Sequence, residues 1–140
     1  MDNPFRPGGL PALIGSLPLR DHVEACQLVL EHTPQIPLWI QLPMNRQEGM
    51  LAQFMPGLPG ICTAEDRAYI DTAQDGFEND ILKFYEDYMA VIDGDADLAA
   101  SRFSLTEETA QGFFVLVENL KRLSSMPVAV KGQVTGPFTF

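Results

Sequence analysis

Three stretches of the chain are apolar without alternating: 12–16 (ALIGS), 36–43 (IPLWIQLP) and 127–134 (PVAVKGQV). A half-buried strand alternates with period two, whereas a strand covered on both faces reads as a continuous apolar run. All three therefore predict buried strands. Helical patterns lie between them. Asp21 with Glu24 forms a capping box, Val23, Cys26 and Leu30 recur at helical spacing, His32 falls in the last turn, and Pro34 stops the helix. Residues 48–56 predict a short amphipathic helix on Met50, Leu51, Phe54 and Met55, ended by Pro56 and Gly57. Two β-rich pieces in 60–73, around Ala64, Glu65 and Asp66, predict a hairpin. A second capping box, Asp75 with Glu78, opens a long helix whose buried stripe is Phe77, Ile81, Phe84 or Tyr85, and Tyr88, closed by 93–97 (DGDAD). A last helix starts near Ser104 or Thr106 and carries Phe113, Leu116, Leu120 and Leu123 inward. Pro4, Pro7, Gly8, Gly9 and Pro11 make 1–11 an irregular lead-in.

Buried strands separated by helices imply an α/β fold, with a parallel sheet and right-handed crossovers. The expectation is one domain over 1–140, with about three parallel strands and the hairpin as an insert. An open doubly wound sheet and part of a (β/α)8 barrel both fit, but a full barrel takes about 250 residues. In either architecture function gathers at the C-terminal ends of the strands. Here those ends are Gly15 and Ser16, Gln41 to Pro43, and Thr135 to Pro137.

The formal net charge of −10 excludes sequence-independent nucleic-acid binding and disfavours docking on anionic lipid. No stretch approaches the ~20 apolar residues of a membrane span, and the N-terminus lacks a secretory h-region. Cys26 and Cys62 lack the spacing of a disulfide framework or a metal site, so the expected compartment is the reducing cytoplasm. Cys26 falls on the apolar stripe of the first helix and reads as core. His22 and His32, at opposite ends of that helix, cannot share a metal. The pattern yields no catalytic residue and no metal ligands. Lys131, inside an apolar strand, reads as structural, either in a buried ion pair or at an edge. Glu48 reads as a solvated first-turn glutamate.

The segments IGSLP at 14–18 and KGQVTGP at 131–137 together resemble the superfamily of uroporphyrinogen decarboxylase and cobalamin-independent methionine synthase, and most closely the catalytic barrel of the synthase. In that barrel one strand ends Ile-Gly-Ser-Phe-Pro and a later one carries Lys-Gly-x-x-Thr-Gly-Pro. Residues 41–54 are similar to the Gly-Glu-Pro segment and the Met-containing helix that follows it, and 68–86 resembles small synthase-like proteins. The resemblance implies a partial TIM barrel and a substrate pocket at Ile14, Gly15, Ser16, Gln41, Thr135 and Gly136. It implies a small-molecule substrate and methyltransferase-type chemistry that this chain alone does not complete. Where the family has a substrate-contacting Glu, this sequence has Leu42. The zinc of the synthase uses His and Cys ligands from a later region, so no cofactor is expected in this chain. The expectation is the N-terminal part of a longer barrel protein, which runs on beyond Phe140 in the family. A three-strand piece leaves apolar strand faces uncovered, so it should form a dimer through Val128, Val130 and Val134 or the first-strand face, or associate with the remaining half. Alternatives are a non-catalytic binding or assembly module, or a corrinoid-linked methyltransferase or decarboxylase relative.

Overall fold

The computed structural model describes residues 5–64 and 67–136. Among these it is a mixed α and β chain: helices α1 (His22–His32), α2 (Phe77–Asp93) and α3 (Glu107–Lys121), and one antiparallel hairpin of β1 (Ile61–Ala64) with β2 (Arg67–Ile70). Single helical turns lie at Arg46–Glu48, Ala52–Phe54 and Leu98–Ala100. The described residues divide into two compact units, one of 5–42 with 111–133 and the other of 43–110 with 134–136.

In the first unit, α1 begins where its capping box predicts. The carboxylate of Asp21 accepts from the amide of Glu24 at 2.7 Å. Thr33 closes the helix, its amide and its hydroxyl both donating to the carbonyl of Val29 at 2.9 Å. The buried face carries Ala25, Cys26 and Val29, and burial pushes the Cys26 thiol pKa up. Residues 36–42 are buried without a break, with Leu38, Ile40 and Leu42 at 0% exposure, as a segment covered on both faces should be. The ring of Trp39 meets that of Phe113 of α3 edge to face at 5.3 Å. A Cβ on Gly112 would lie 2.0 Å from the carbonyl oxygen of Ile40, so only glycine lets α3 come this close.

Three expected parallel strands become extended segments in the structure. An isolated parallel bridge joins Leu38 to Lys131, and no regular strand forms at 12–16, 37–42 or 127–134. Hydrogen bonding to 12–17 is sparse: Pro11 and Pro18 have no N–H to give, and one backbone bond, from the Leu17 amide to the Gln41 carbonyl at 3.2 Å, ties the segment to 36–42. Ile14, expected inside, is 88% exposed.

The second unit departs from the sequence pattern in its helices. Gly49 has extended backbone and splits the helix expected over 48–56 into two turns, leaving Met50 exposed and only Met55 of the stripe buried. Glu48, expected in solvent, is 3% exposed. The hairpin forms, with Ile61 opposite Ile70; its turn residues 65–66 lie outside the described residues. The long helix starts after Gly76, at φ +86°, instead of on an Asp75 cap. None of its residues is buried, and Tyr85 and Tyr88 of the expected core stripe are 60% and 46% exposed. Its inner face is fixed by charge as well as by packing. Asp80 accepts from the Gly60 amide at 2.9 Å and from Arg102 at 3.1 Å, while Arg102 also reaches Asp87 at 3.5 Å and lies over the Phe84 ring. Gln53, 2% exposed, donates to the Thr109 carbonyl at 2.7 Å. In α3 the backbone leaves the helical region at Ala110, where the two units divide, and Leu123, expected inside, is 38% exposed.

Two substitutions test this packing. Gly112→Ala should destabilise the first unit by about 1–3 kcal/mol, because the Ile40 backbone must move. Gly94→Ala, at φ +82° with open space around it, should cost only the ~1 kcal/mol of left-handed backbone. Urea unfolding followed by Trp39 fluorescence reads the first; far-ultraviolet dichroism reads the second.

The Asp80 carboxyl is held below its usual range, first by the Gly60 amide and then by Arg102. A depressed carboxyl gives stability that is present above its unfolded value and lost as the pH falls through its folded value. Exchange of the Gly60 amide should therefore accelerate on the acid side, and Asp80→Asn should flatten that acid dependence.

Candidate functional site

The first unit brings the ends of its three extended segments together through Lys131 and a pair of glutamines. Along 127–134 successive side chains alternate between faces, so Ala129, Lys131 and Gln133 share one. Lys131 reaches across 36–42 to the first segment. Its ammonium donates to the carbonyls of Leu13 at 2.8 Å and Ile14 at 2.7 Å. Two residues on, the side-chain amide of Gln133 donates to Oε1 of Gln41, and Nε2 of Gln41 donates back to the Gln133 carbonyl at 3.4 Å. A Cβ on Gly15 would lie 4.0 Å from Nε2 of Gln133, which places the first segment's turn beside the amide pair.

Of the residues singled out by sequence, Ile14, Gly15, Ser16 and Gln41 thus belong to one constellation. Gln41 is buried at 8% exposure, while Ile14 and Ser16 face solvent. Thr135 and Gly136 belong to the other unit, where the Thr135 hydroxyl donates to the Met50 carbonyl. Pro137 lies outside the described residues. Leu42, which stands where the resembled family has Glu, is a fully buried core residue.

Among the described residues Lys131 has no ion-pair partner; the backbone carbonyls of Leu13 and Ile14 hold its ammonium. Gln133 was missed by the sequence reading. The signal was its place two residues from Lys131, hence on the same strand face.

The constellation is rich in donors. Among the described residues the amides of Gly15 and Ser16 and the Ser16 hydroxyl donate to no protein group, and the Lys131 ammonium stands beside them. In a chain of net charge −10 this is a local positive feature, and its chemistry suits a small ligand with a carboxylate or carbonyl group. Among the described residues no three His, Cys, Asp or Glu side chains are grouped to hold a metal ion, and no helix is long and apolar enough to cross a membrane.

Lys131→Met removes both carbonyl contacts and should loosen the first segment. Exchange of the Leu17 amide should accelerate about tenfold or more, with a loss of roughly 1–3 kcal/mol in stability, since charged hydrogen bonds are involved. Amide exchange followed by NMR checks both.

Set against family models, curated proteins and solved structures, the chain matches none of them.

Proposed function

We propose that the constellation at Ile14, Gly15, Ser16 and Gln41 binds the carboxylate end of a small amino-acid-like substrate, in a chain built as part of a methionine synthase-like methyltransferase barrel. The observation that carries this reading is the Lys131 contact with Leu13 and Ile14. It gathers the IGS turn, Gln41 and the KGQ segment, so the motifs that resemble the superfamily meet in space. The parallel bridge between Leu38 and Lys131 supports the barrel frame, since a barrel wall pairs its strands in parallel. The reading assigns binding to Ile14, Gly15, Ser16 and Gln41 and leaves turnover to other residues. It also sets the chain in the cytoplasm, in keeping with free thiols at Cys26 and Cys62.

A second reading, a non-catalytic binding module on the same scaffold, has an observation of its own. Leu42 is at 0% exposure, so the carboxylate that would meet an α-ammonium group is replaced by core packing. The corrinoid-linked methyltransferase and decarboxylase branches share the frame, but no separate observation favours them.

Titration with L-homocysteine and L-methionine, followed by amide NMR, tests the proposal. Saturable shifts confined to 13–17, 41 and 131–133 are expected, and Ser16→Ala should weaken them. Shifts absent at millimolar ligand, or centred on the hairpin, would refute it. Purified chain is further expected to carry no stoichiometric zinc and to turn over no methyl transfer to homocysteine, because tight zinc binding needs about four well-placed ligands. Metal analysis with an activity assay decides this; bound zinc with turnover would favour a complete enzyme.

A further inference from the structure

The two glutamines of the first unit hold each other in one orientation. A side-chain amide can be turned end for end, so its partners decide which end is the donor. Here a backbone carbonyl decides. The Gln133 carbonyl can only accept, so the end of the Gln41 side chain that faces it, 3.4 Å away, is the donor Nε2. Oε1 of Gln41 is then turned to the Gln133 side chain, which meets it with its own Nε2. One acceptor remains. Oε1 of Gln133 accepts from no protein group among the described residues.

That acceptor stands beside donors. A Cβ on Gly15 would lie 4.0 Å from Nε2 of Gln133, so the amide group that carries Oε1 borders the turn of Gly15 and Ser16. The backbone amides of that turn donate to no protein group among the described residues. Gly15 and Gln133 are both half-buried, open enough for a small molecule to reach. Lys131 lies two residues back on the same segment, roughly 7 Å away along an extended chain, with its ammonium on the carbonyls of Leu13 and Ile14.

We propose that Oε1 of Gln133 accepts a hydrogen bond from the ammonium of the bound ligand, which makes the substrate class the α-amino acids and not carboxylic acids in general. This rests on the proposed binding of a carboxylate at the Gly15 and Ser16 turn. An α-amino acid carries its ammonium one carbon from its carboxylate, so its site needs donors and an acceptor as neighbours. The turn and Gln133 are such neighbours. An acid without the amine would leave Oε1 without a donor, and a site built on such a bond discriminates against ligands that lack it. Lys131 sets the sense of binding, because its charge attracts the carboxylate and repels the ammonium. Leu42, where the resembled family has Glu, is alkyl and fully buried. Gln133 supplies the acceptor from the neighbouring segment instead.

Amide NMR titration of the unaltered chain with L-methionine and with γ-methylthiobutyrate, the same molecule without its amine, tests the proposal. L-Methionine should bind about tenfold more tightly or better, because a hydrogen bond from an ammonium is charge-assisted. The side-chain Nε2 signals of Gln133 should shift with L-methionine and stay in place with γ-methylthiobutyrate. Gln133→Met removes the acceptor and should bring the two ligands to equal affinity, with Trp39 fluorescence reporting that the fold is kept. Equal affinity in the unaltered chain, with shifts at 13–17 for both ligands, would overturn the proposal and leave the carboxylate site standing. A preference for L-methionine that survives Gln133→Met in a folded variant would overturn it too. Shifts at 13–17 with neither ligand would overturn the carboxylate site and this proposal with it. If Gln133→Met does not fold, the ligand comparison and the Gln133 side-chain signals of the unaltered chain decide.

Discussion

A buried backbone must find hydrogen-bond partners, and the structure of the first unit follows from how residues 35–41 find theirs. The run from Ile36 to Leu42 is closed to water. The carbonyls of Gln35 and Pro37 accept from Val128, Ala129 and Lys131; the Trp39 amide donates to Lys131; and the Gln41 carbonyl accepts from Leu17. An orphaned amide or carbonyl here would cost on the order of 1–3 kcal/mol. The two outer segments are thus held on the central one, and they bring Gly15, Ser16 and Gln133 to the same end as Gln41. Packing confirms the arrangement from behind, since α3 can reach Ile40 only where Gly112 has no side chain.

Lys131 gives this scaffold its chemistry. A lysine in an apolar strand must find acceptors, and this one uses two carbonyls at the end of the first segment. The same contact that ties 13–14 to the segment 127–134 sets a positive charge beside two backbone amides that donate to no group among the described residues.

Much of this was legible in the sequence, and the exceptions have physical causes. The capping box at Asp21 sets α1 because a short side chain and a free amide three residues on are all that the cap requires. The uninterrupted apolar run at 36–42 announces burial on both faces. The Asp75 box failed because Gly76 offered a left-handed entry into α2. The helix over 48–56 failed at Gly49, a weak helix former. Periodicity placed Tyr85 and Tyr88 in a core because it reports an apolar face, and it cannot report whether anything covers that face. The constellation was half visible: its glycine, serine and glutamine stand at segment ends, but Gln133 and the reach of Lys131 depend on tertiary register.

The central claim is that the first unit is built on a parallel register between 36–42 and 128–133. Scalar couplings measured across hydrogen bonds test it most directly, because they report which amide donates to which carbonyl. The account predicts couplings from the Trp39 amide to the Lys131 carbonyl and from the Lys131 amide to the Pro37 carbonyl. An antiparallel pattern, with one residue of each segment exchanging both bonds with a single residue of the other, would contradict it.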